Sequence, residues 1–292
     1  MQMNNSDFIM YENFDLSSIS PIECGGVVKR YFVIYNKKGL KSVFKLIQEN
    51  SWTYYVVGAC TKILFKDNIS FDCILKYDNK SFFVYEDKLI CGAGVSLVNL
   101  VSNVTSMGYK GFEGLIGIPG CLGGAICNNS GAYGNEIQDN IRFVKYMDKN
   151  GKIIKLSRKK CDFRYRHSIF KDDQLGIIIE AEFKLNKGDI GLIKRKLETY
   201  MKRRVLTQPL TSKTLGCTFK NPPFLSSGKL IEECDLKNFG LEGVKVSSMH
   251  GNFLEFSMKK NTKNALCLID IIKLKVYNKI NLDLDLEILI VG

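Results

Sequence analysis

The sequence predicts an α+β fold, on three observations. Helical and strand patterns alternate through the first half, a glycine-rich segment interrupts them, and the second half carries a helix and a terminal strand of its own. Neither a helical bundle nor an all-β sandwich produces that order. Of the 292 residues, 45% are apolar and 11% aromatic, enough to build cores in one large domain or in two to three small ones.

Taken in order, "YFVIYN" (31–36) reads as a strand and "KGLKSVFKLIQENS" as an amphipathic helix with Val43, Phe44, Leu46 and Ile47 inward. "WTYYVVGA" is the next strand, ending in a turn at Gly58, so the three form a βαβ unit. The style repeats between 81 and 187. A strand "KLICGAG" precedes a helix with Leu97, Leu100, Val101, Val104 and Met107 on one side. After the glycine-rich segment come strands around "IRFVKYMDKNGKIIKLS", with a hairpin turn at "KNGK", and "LGIIIEAEFKLN". Residues 187–204 form a linking helix. The region 205–281 has its own helix, with Leu266, Ile269, Ile272 and Val276 at three-to-four spacing. In "NLDLDLEILI", leucines and isoleucines alternate with Asp283, Asp285 and Glu287, the pattern of a strand with three carboxylates on one face.

Composition narrows the function classes. No apolar run approaches the roughly 18 residues needed to cross a bilayer, and the first thirty residues lack a basic start followed by an apolar block, so no membrane insertion and a cytoplasmic location are expected. Ten irregularly spaced cysteines then read as reduced thiols rather than as a disulfide scaffold. With no C-x2-C pair and only His167 and His250, no metal site is expected. The net charge of +12 is spread along the chain, and its densest segment, Lys194, Arg195, Lys196, Lys202, Arg203 and Arg204, reads as a solvated helix face. Without a recognisable reading motif, a nucleic-acid partner is not expected.

The chemistry concentrates in a few segments. "GLIGIPGCLGGAICNNSGAYGNEI" (114–137) is rich in glycine, which lets backbone amides approach a ligand closely; an anion cradle and a structural loop are both consistent with it. Its G-x2-G-x2-G-G spacing is neither a P-loop nor a dinucleotide fingerprint. "FRYRHSIF" supplies Arg166 beside Tyr165, a cation able to hold a carboxylate, and "LGCTFKNPP" joins Cys217 to Lys220 and Asn221.

Together, and in this order, "GFEGLIGIPGCLGGAICNNSGAYGNEI", "FRYRHSIF", "LGCTFKNPP", "SGKLIEECDLKNFGLEGVKVS" with "HGNF", and "LDLEILIVG" resemble the UDP-N-acetylenolpyruvoylglucosamine reductase family, in its compact subclass. The resemblance implies a two-lobed FAD-binding unit of the vanillyl-alcohol-oxidase (PCMH) type plus a smaller C-terminal α/β substrate domain. The lobes would be 1–80 and 81–187, with 188–204 as the linking helix, 205–281 as the substrate domain and 282–292 returning near the active site. It implies FAD held by Gly58, Ala59, Cys60, Thr61, Gly117, Pro119, Gly120, Gly123, Gly124 and Gly131, and NADPH as hydride donor. Substrate, a UDP-sugar enolpyruvate, would meet Tyr165, Lys220 and Asn221. Arg166 and Glu287 would act on its carboxylate, and Cys217, where relatives usually carry serine, would supply the proton. A monomer is expected.

Two departures stand out. The family's first flavin loop is normally G-G-G-S-N, and Gly58, Ala59, Cys60, Thr61 and Lys62 occupy it here, with Lys62 offering a charge contact to the pyrophosphate. "SPIECGG" keeps only Gly25 and Gly26 of a normally Thr-rich motif. The competing readings are a flavin-fold relic that binds UDP-sugar without turnover and another flavin oxidoreductase of the same superfamily.

Overall fold

The computed structural model describes residues 2–171, 175–258 and 262–292. The chain forms two compact units that it enters more than once. The first comprises Met1–Glu12, Lys29–Ala59 and Phe71–Arg203, and the second Asn13–Val28, Cys60–Ser70 and Arg204–Gly292. Six α-helices, α1 (Lys37–Glu49), α2 (Leu97–Ser106), α3 (Leu122–Cys127), α4 (Ile190–Thr207), α5 (Ser227–Glu233) and α6 (Thr262–Ile280), lie among the described residues. None is long and apolar enough to cross a membrane.

One five-stranded sheet, in the first unit except for residues 13–15 and 27–28, runs in the order Gln2–Asn5, Phe8–Asp15, Val27–Ile34, Cys73–Tyr77, Tyr54–Val57. The last three strands are parallel, which requires a crossover, and α1 supplies it. Asn36 starts that helix by accepting the Gly39 amide at 2.9 Å. The expected apolar stripe follows, with Val43, Phe44 and Ile47 buried and Leu46 packed at their margin, and Leu40 is buried with them though it was not predicted. The strands at 2–5 and 8–15 carry no alternation clear enough to be predicted.

A second five-stranded sheet, Ile153–Ser157, Ile141–Asp148, Gly176–Lys184, Lys88–Gly92 and Phe82–Tyr85, is antiparallel throughout. Its hairpin turns where the sequence says it should, with Gly151 at φ 77° and Asp148 Oδ1 accepting the amides of Asn150 and Lys152 at 3.0 and 2.8 Å. Against the sheet lies α2, with Leu97, Leu100, Val101 and Val104 buried as predicted. Met107 is the exception: it is the C-cap residue and is exposed, because the helix ends before its side chain reaches the apolar face. Phe112 and Phe183, both fully buried, meet edge to face with centroids 5.9 Å apart at the centre of this core.

The second unit has a core of its own, built around α6. Its buried stripe is Ala265, Leu268, Ile269, Ile272 and Val276, so the face is rotated from the predicted one and Leu266 sits at its edge. A three-stranded antiparallel sheet (Gly240–Leu241, Val244–Val246, Leu254–Phe256) and a parallel pair (Ile63–Phe65 with Leu289–Val291) complete it.

The C-terminal segment departs from expectation. Regular strand is limited to Leu289–Val291, preceded by a single bridge between Leu286 and Phe219. Asp283 and Asp285 are exposed, whereas Glu287 is buried. The amides of Glu287 and Ile288 both point at the Thr218 carbonyl, at 2.8 and 3.4 Å, and this bend breaks the alternation and turns Glu287 inward. The three carboxylates therefore do not share a face. On α4, Lys194, Arg195, Lys196, Lys202 and Arg203 are exposed, but Arg204 is buried and donates to Gln208 Oε1 at 3.0 Å.

Phe183→Ala should destabilise the first unit by about 3–5 kcal/mol, because it removes a ring that no neighbour can replace. Urea denaturation followed by fluorescence checks this; a loss below about 1 kcal/mol would mean the core repacks.

Candidate active site

The glycine-rich segment belongs to the first unit and folds as a chain of short elements: a 3-10 turn at Glu113–Leu115, then α3, then a hairpin of Gly131–Ala132 with Asn135–Glu136. Its residues lack the apolar bulk for anything longer. Gly117 and Gly120 take φ of 70° and 126°, which L side chains rarely adopt. Across from them, the strand Tyr54–Val57 ends at Gly58, where a Cβ would stand 2.6 Å from Cys121 Sγ and 3.8 Å from the Gly124 amide nitrogen. Gly124 itself is exposed, with only Cys121 Sγ near a Cβ built on it. Gly58 is closed against the Cys121 thiol, whereas Gly124 has open space beside it, where backbone amides without side chains fit the approach of a pyrophosphate. Gly123 has a packing role: its amide donates to Ala93 O at 2.8 Å, and a Cβ would press on Ala93 Cβ at 3.2 Å. Pro119 is exposed, as is Ala59.

Arg166 is also in the first unit. It sits in a loop at φ 54°, left-handed for a non-glycine residue, and strain of this kind persists where surrounding bonds enforce it. Those bonds are present. Lys171 Nζ donates to Arg166 O at 3.0 Å and to Asn128 Oδ1 at 2.9 Å, while the buried Ser168 hydroxyl donates to Cys127 O at 2.9 Å. The Arg166 guanidinium donates to Gly131 O at 3.1 Å and lies 5.0 Å from the Tyr165 ring. Asn129, fully buried, ties loop and hairpin together: its amide donates to Glu136 Oε2 at 2.7 Å and to Arg164 O at 3.1 Å. Nothing in the sequence singles out Asn129, since its neighbours "NNS" look like loop filler.

Cys217, Lys220, Asn221 and Glu287 belong to the second unit, together with Cys60, Thr61 and Lys62. The segment 217–221 is held between two others. Cys217 pairs with Phe253 through a single bridge, Thr218 N donates to Asn252 O at 2.8 Å, and Lys220 N donates to Asp285 O at 2.8 Å. Asn252 is buried, and its side chain brackets Phe219: Oδ1 accepts the Phe219 amide and Nδ2 donates to its carbonyl, both at 2.8 Å. His250 accepts the Asn252 amide on Nδ1 at 3.2 Å, and burial lowers its pKa, which keeps the ring neutral around pH 7. Asn221 Oδ1 accepts the Ser227 amide at 3.1 Å where α5 begins.

Glu287 is brought beside this segment by the Thr218 carbonyl, and there it meets a cation. Lys62 Nζ stands 3.0 Å from Glu287 Oε1 and donates to Cys217 O at 2.6 Å. The lysine that the sequence offers to the pyrophosphate is therefore engaged at Cys217 and Glu287. Cys60, two residues earlier, is buried at φ 57°, a conformation that costs a non-glycine residue about 1–2 kcal/mol and that the family's glycine loop would adopt freely. Elsewhere, burial pushes the thiols of Cys73, Cys91 and Cys127 up to about 12 and that of Cys161 up to about 11, so these four remain unreactive.

Comparison with known proteins decides the family. The family profile "UDP-N-acetylenolpyruvoylglucosamine reductase, C-terminal domain" matches residues 208–291, and the profile "FAD binding domain" matches residues 29–157. The UDP-N-acetylenolpyruvoylglucosamine reductase of Clostridium novyi is 33% identical over 282 residues, covering 96% of this chain and 91% of that protein. The chain belongs to the UDP-N-acetylenolpyruvoylglucosamine reductase family. The member from Clostridioides difficile is 36% identical over 255 residues, covering 87% of this chain and 84% of its own. The crystal structure of the Thermus caldophilus member aligns over 100% of both chains with a TM-score of 0.83 at 26% identity, so the family's fold is shared. The family's FAD-binding region thus includes the bare backbone at Gly58 and Gly124, and its C-terminal domain includes the segment from Cys217 to Glu287.

Asn252→Ala should lower the stability of the second unit by about 1–3 kcal/mol, because it strands the Phe219 amide and carbonyl in a dry core. Thermal unfolding measured beside Asn221→Ala checks it. An equal, small effect of both would show that the Asn252 bracket contributes nothing special.

Proposed function

We propose that the chain is an FAD-dependent reductase that uses NADPH to reduce the enolpyruvyl group of UDP-N-acetylglucosamine enolpyruvate, giving UDP-N-acetylmuramate for peptidoglycan synthesis. The observation that carries this reading is the second-unit arrangement in a member of this family: Cys217 and the buried Glu287 both flank Thr218, whose carbonyl fixes the carboxylate's approach. With FAD bound, the cofactor would supply hydride chemistry for the enolpyruvyl double bond, with NADPH as the proposed donor. The lobes that hold it are assigned to 1–80 and 81–187, with the pyrophosphate against Gly58, Ala59, Cys60, Thr61, Gly117, Pro119, Gly120, Gly123, Gly124 and Gly131. Residues 188–204 link these lobes to the substrate domain, 205–281, and 282–292 return to the site.

Each remaining role belongs to a side chain of this protein. Arg166, pre-set by its enforced backbone, binds the substrate carboxylate and stabilises charge that develops there as the double bond is reduced. Glu287 is its acidic counterpart. The Cys217 thiol releases its proton to C2, completing the addition of one hydride and one proton across the double bond, and solvent returns the proton to the sulfur. A thiol has an unperturbed pKa of about 8.5, so it is mostly protonated near neutrality yet releases its proton far more readily than serine. Tyr165, Lys220 and Asn221 line the substrate. The enzyme works in the cytoplasm, as a monomer.

Purified protein should be yellow, and NADPH should bleach the flavin band. Cys217→Ala should leave that bleaching intact while slowing reoxidation by the enolpyruvyl nucleotide about 10²–10⁴-fold, as loss of a general acid does. Stopped-flow absorbance separates the two half-reactions. Equal loss of both would make Cys217 structural, and protein that cannot be loaded with FAD would overturn the assignment.

A further inference from the structure

We infer that Lys62 is a positioning residue for Glu287, holding its carboxylate ionised and oriented toward the segment that carries Cys217, rather than a ligand of the cofactor's phosphates. The inference rests on the reductase reading and deepens it. It concerns a residue in the loop where this chain departs from G-G-G-S-N.

Both ends of Lys62 are fastened to the catalytic segments. Its backbone carbonyl accepts the Leu289 amide at 2.8 Å, two residues beyond Glu287. Its ammonium reaches back to Glu287 Oε1 at 3.0 Å and to the Cys217 carbonyl at 2.6 Å. Space for that ammonium comes from Gly216, at φ 71°, where a Cβ would stand 3.3 Å from Nζ. The carboxylate side chain is 7% exposed and that of Lys62 30%, so the pair is only partly screened by water.

The charged groups on the segments bonded to Glu287 make Lys62 the one suited to the task. Asp283 and Asp285 precede it on its own segment and are exposed. Lys220 is tied through its backbone to Asp285 O, and His250, beyond the Phe253 bridge, is kept neutral by burial. None of these has a side-chain bond to Glu287 among the described contacts; Lys62 does. A cation at this distance favours the ionised carboxyl. In that form Glu287 accepts hydrogen bonds and donates none, so it orients donor groups around the substrate and leaves the single proton of the reaction to Cys217.

The test uses full-length, FAD-loaded protein. Carboxyl carbon NMR, with Glu287→Gln to assign the signal, should show the Glu287 titration midpoint rising by roughly one unit in Lys62→Met, a typical size for loss of an adjacent opposite charge. The sign follows from removing a cation that favours ionisation. The acid limb of the pH profile for substrate reduction should move up with it, NADPH reduction of the flavin should be unchanged, and Lys62→Arg should restore the wild-type limb. The FAD dissociation constant should stay within about twofold of wild type, the change expected when no charge-assisted phosphate contact is lost. An unmoved Glu287 midpoint overturns the inference, as does a tenfold or greater loss of FAD affinity. If wild-type protein fails to reduce the enolpyruvyl nucleotide, the reductase reading fails, while the Glu287 titration still decides the role of Lys62.

Discussion

The arrangement of the candidate site residues in the second unit depends on one carbonyl group. Thr218 O accepts the amides of both Glu287 and Ile288, and by doing so it converts an alternating apolar segment into a bent one. Without that bend, Glu287 would stand beside Asp283 and Asp285 in solvent. With it, a carboxylate is buried next to the residue that precedes Thr218, Cys217. The position of Thr218 is itself determined by Asn252, whose carbonyl takes the Thr218 amide and whose side chain brackets Phe219. A buried amide with both of its ends occupied is costly to disturb, so Asn252 holds the segment that carries Cys217 and Thr218 in place.

The first unit solves a different problem with the opposite means. An anion cradle would need backbone without side chains, and Gly58 and Gly124 leave no side chain of their own beside the Cys121 thiol. Such backbone has little packing to stabilise it, and the neighbouring polar contacts offset this. Asn129, Glu136, Lys171 and Ser168 bond the hairpin and the Arg166 loop to α3, so that a strained arginine and a bare glycine turn are both held by one network. The same loop that begins at Gly58 in the first unit continues as Cys60, Thr61 and Lys62 in the second.

Much of this was legible in the sequence, and the reasons for the rest are physical. Helix stripes at Val43 to Ile47 and Leu97 to Val104 were readable because burial imposes a 3.6-residue period on any such face. The glycine-rich segment stood out by its composition, which by itself left an anion cradle and a structural loop both open. Glu287 was found by family pattern, but its burial was not, since strict alternation assigned it to the same face as Asp285. Asn252 and Asn129 left no signal at all: a bracketing amide satisfies its partners through folding, and its neighbours in sequence are unrelated to them. Lys62 was visible only as a departure, and charge alone could not tell whether it served a phosphate or a carboxylate.

The central claim is that Cys217 delivers its proton to C2 while Glu287, paired with Lys62, attends the substrate carboxylate. A crystal structure of the protein holding FAD and the enolpyruvyl nucleotide tests it most directly. The account predicts Cys217 Sγ within about 3.5 Å of C2, the approach a proton transfer needs, with the Lys62 ammonium still on Glu287. A Cys217 thiol turned away from C2, with Glu287 remote from the substrate, would contradict it.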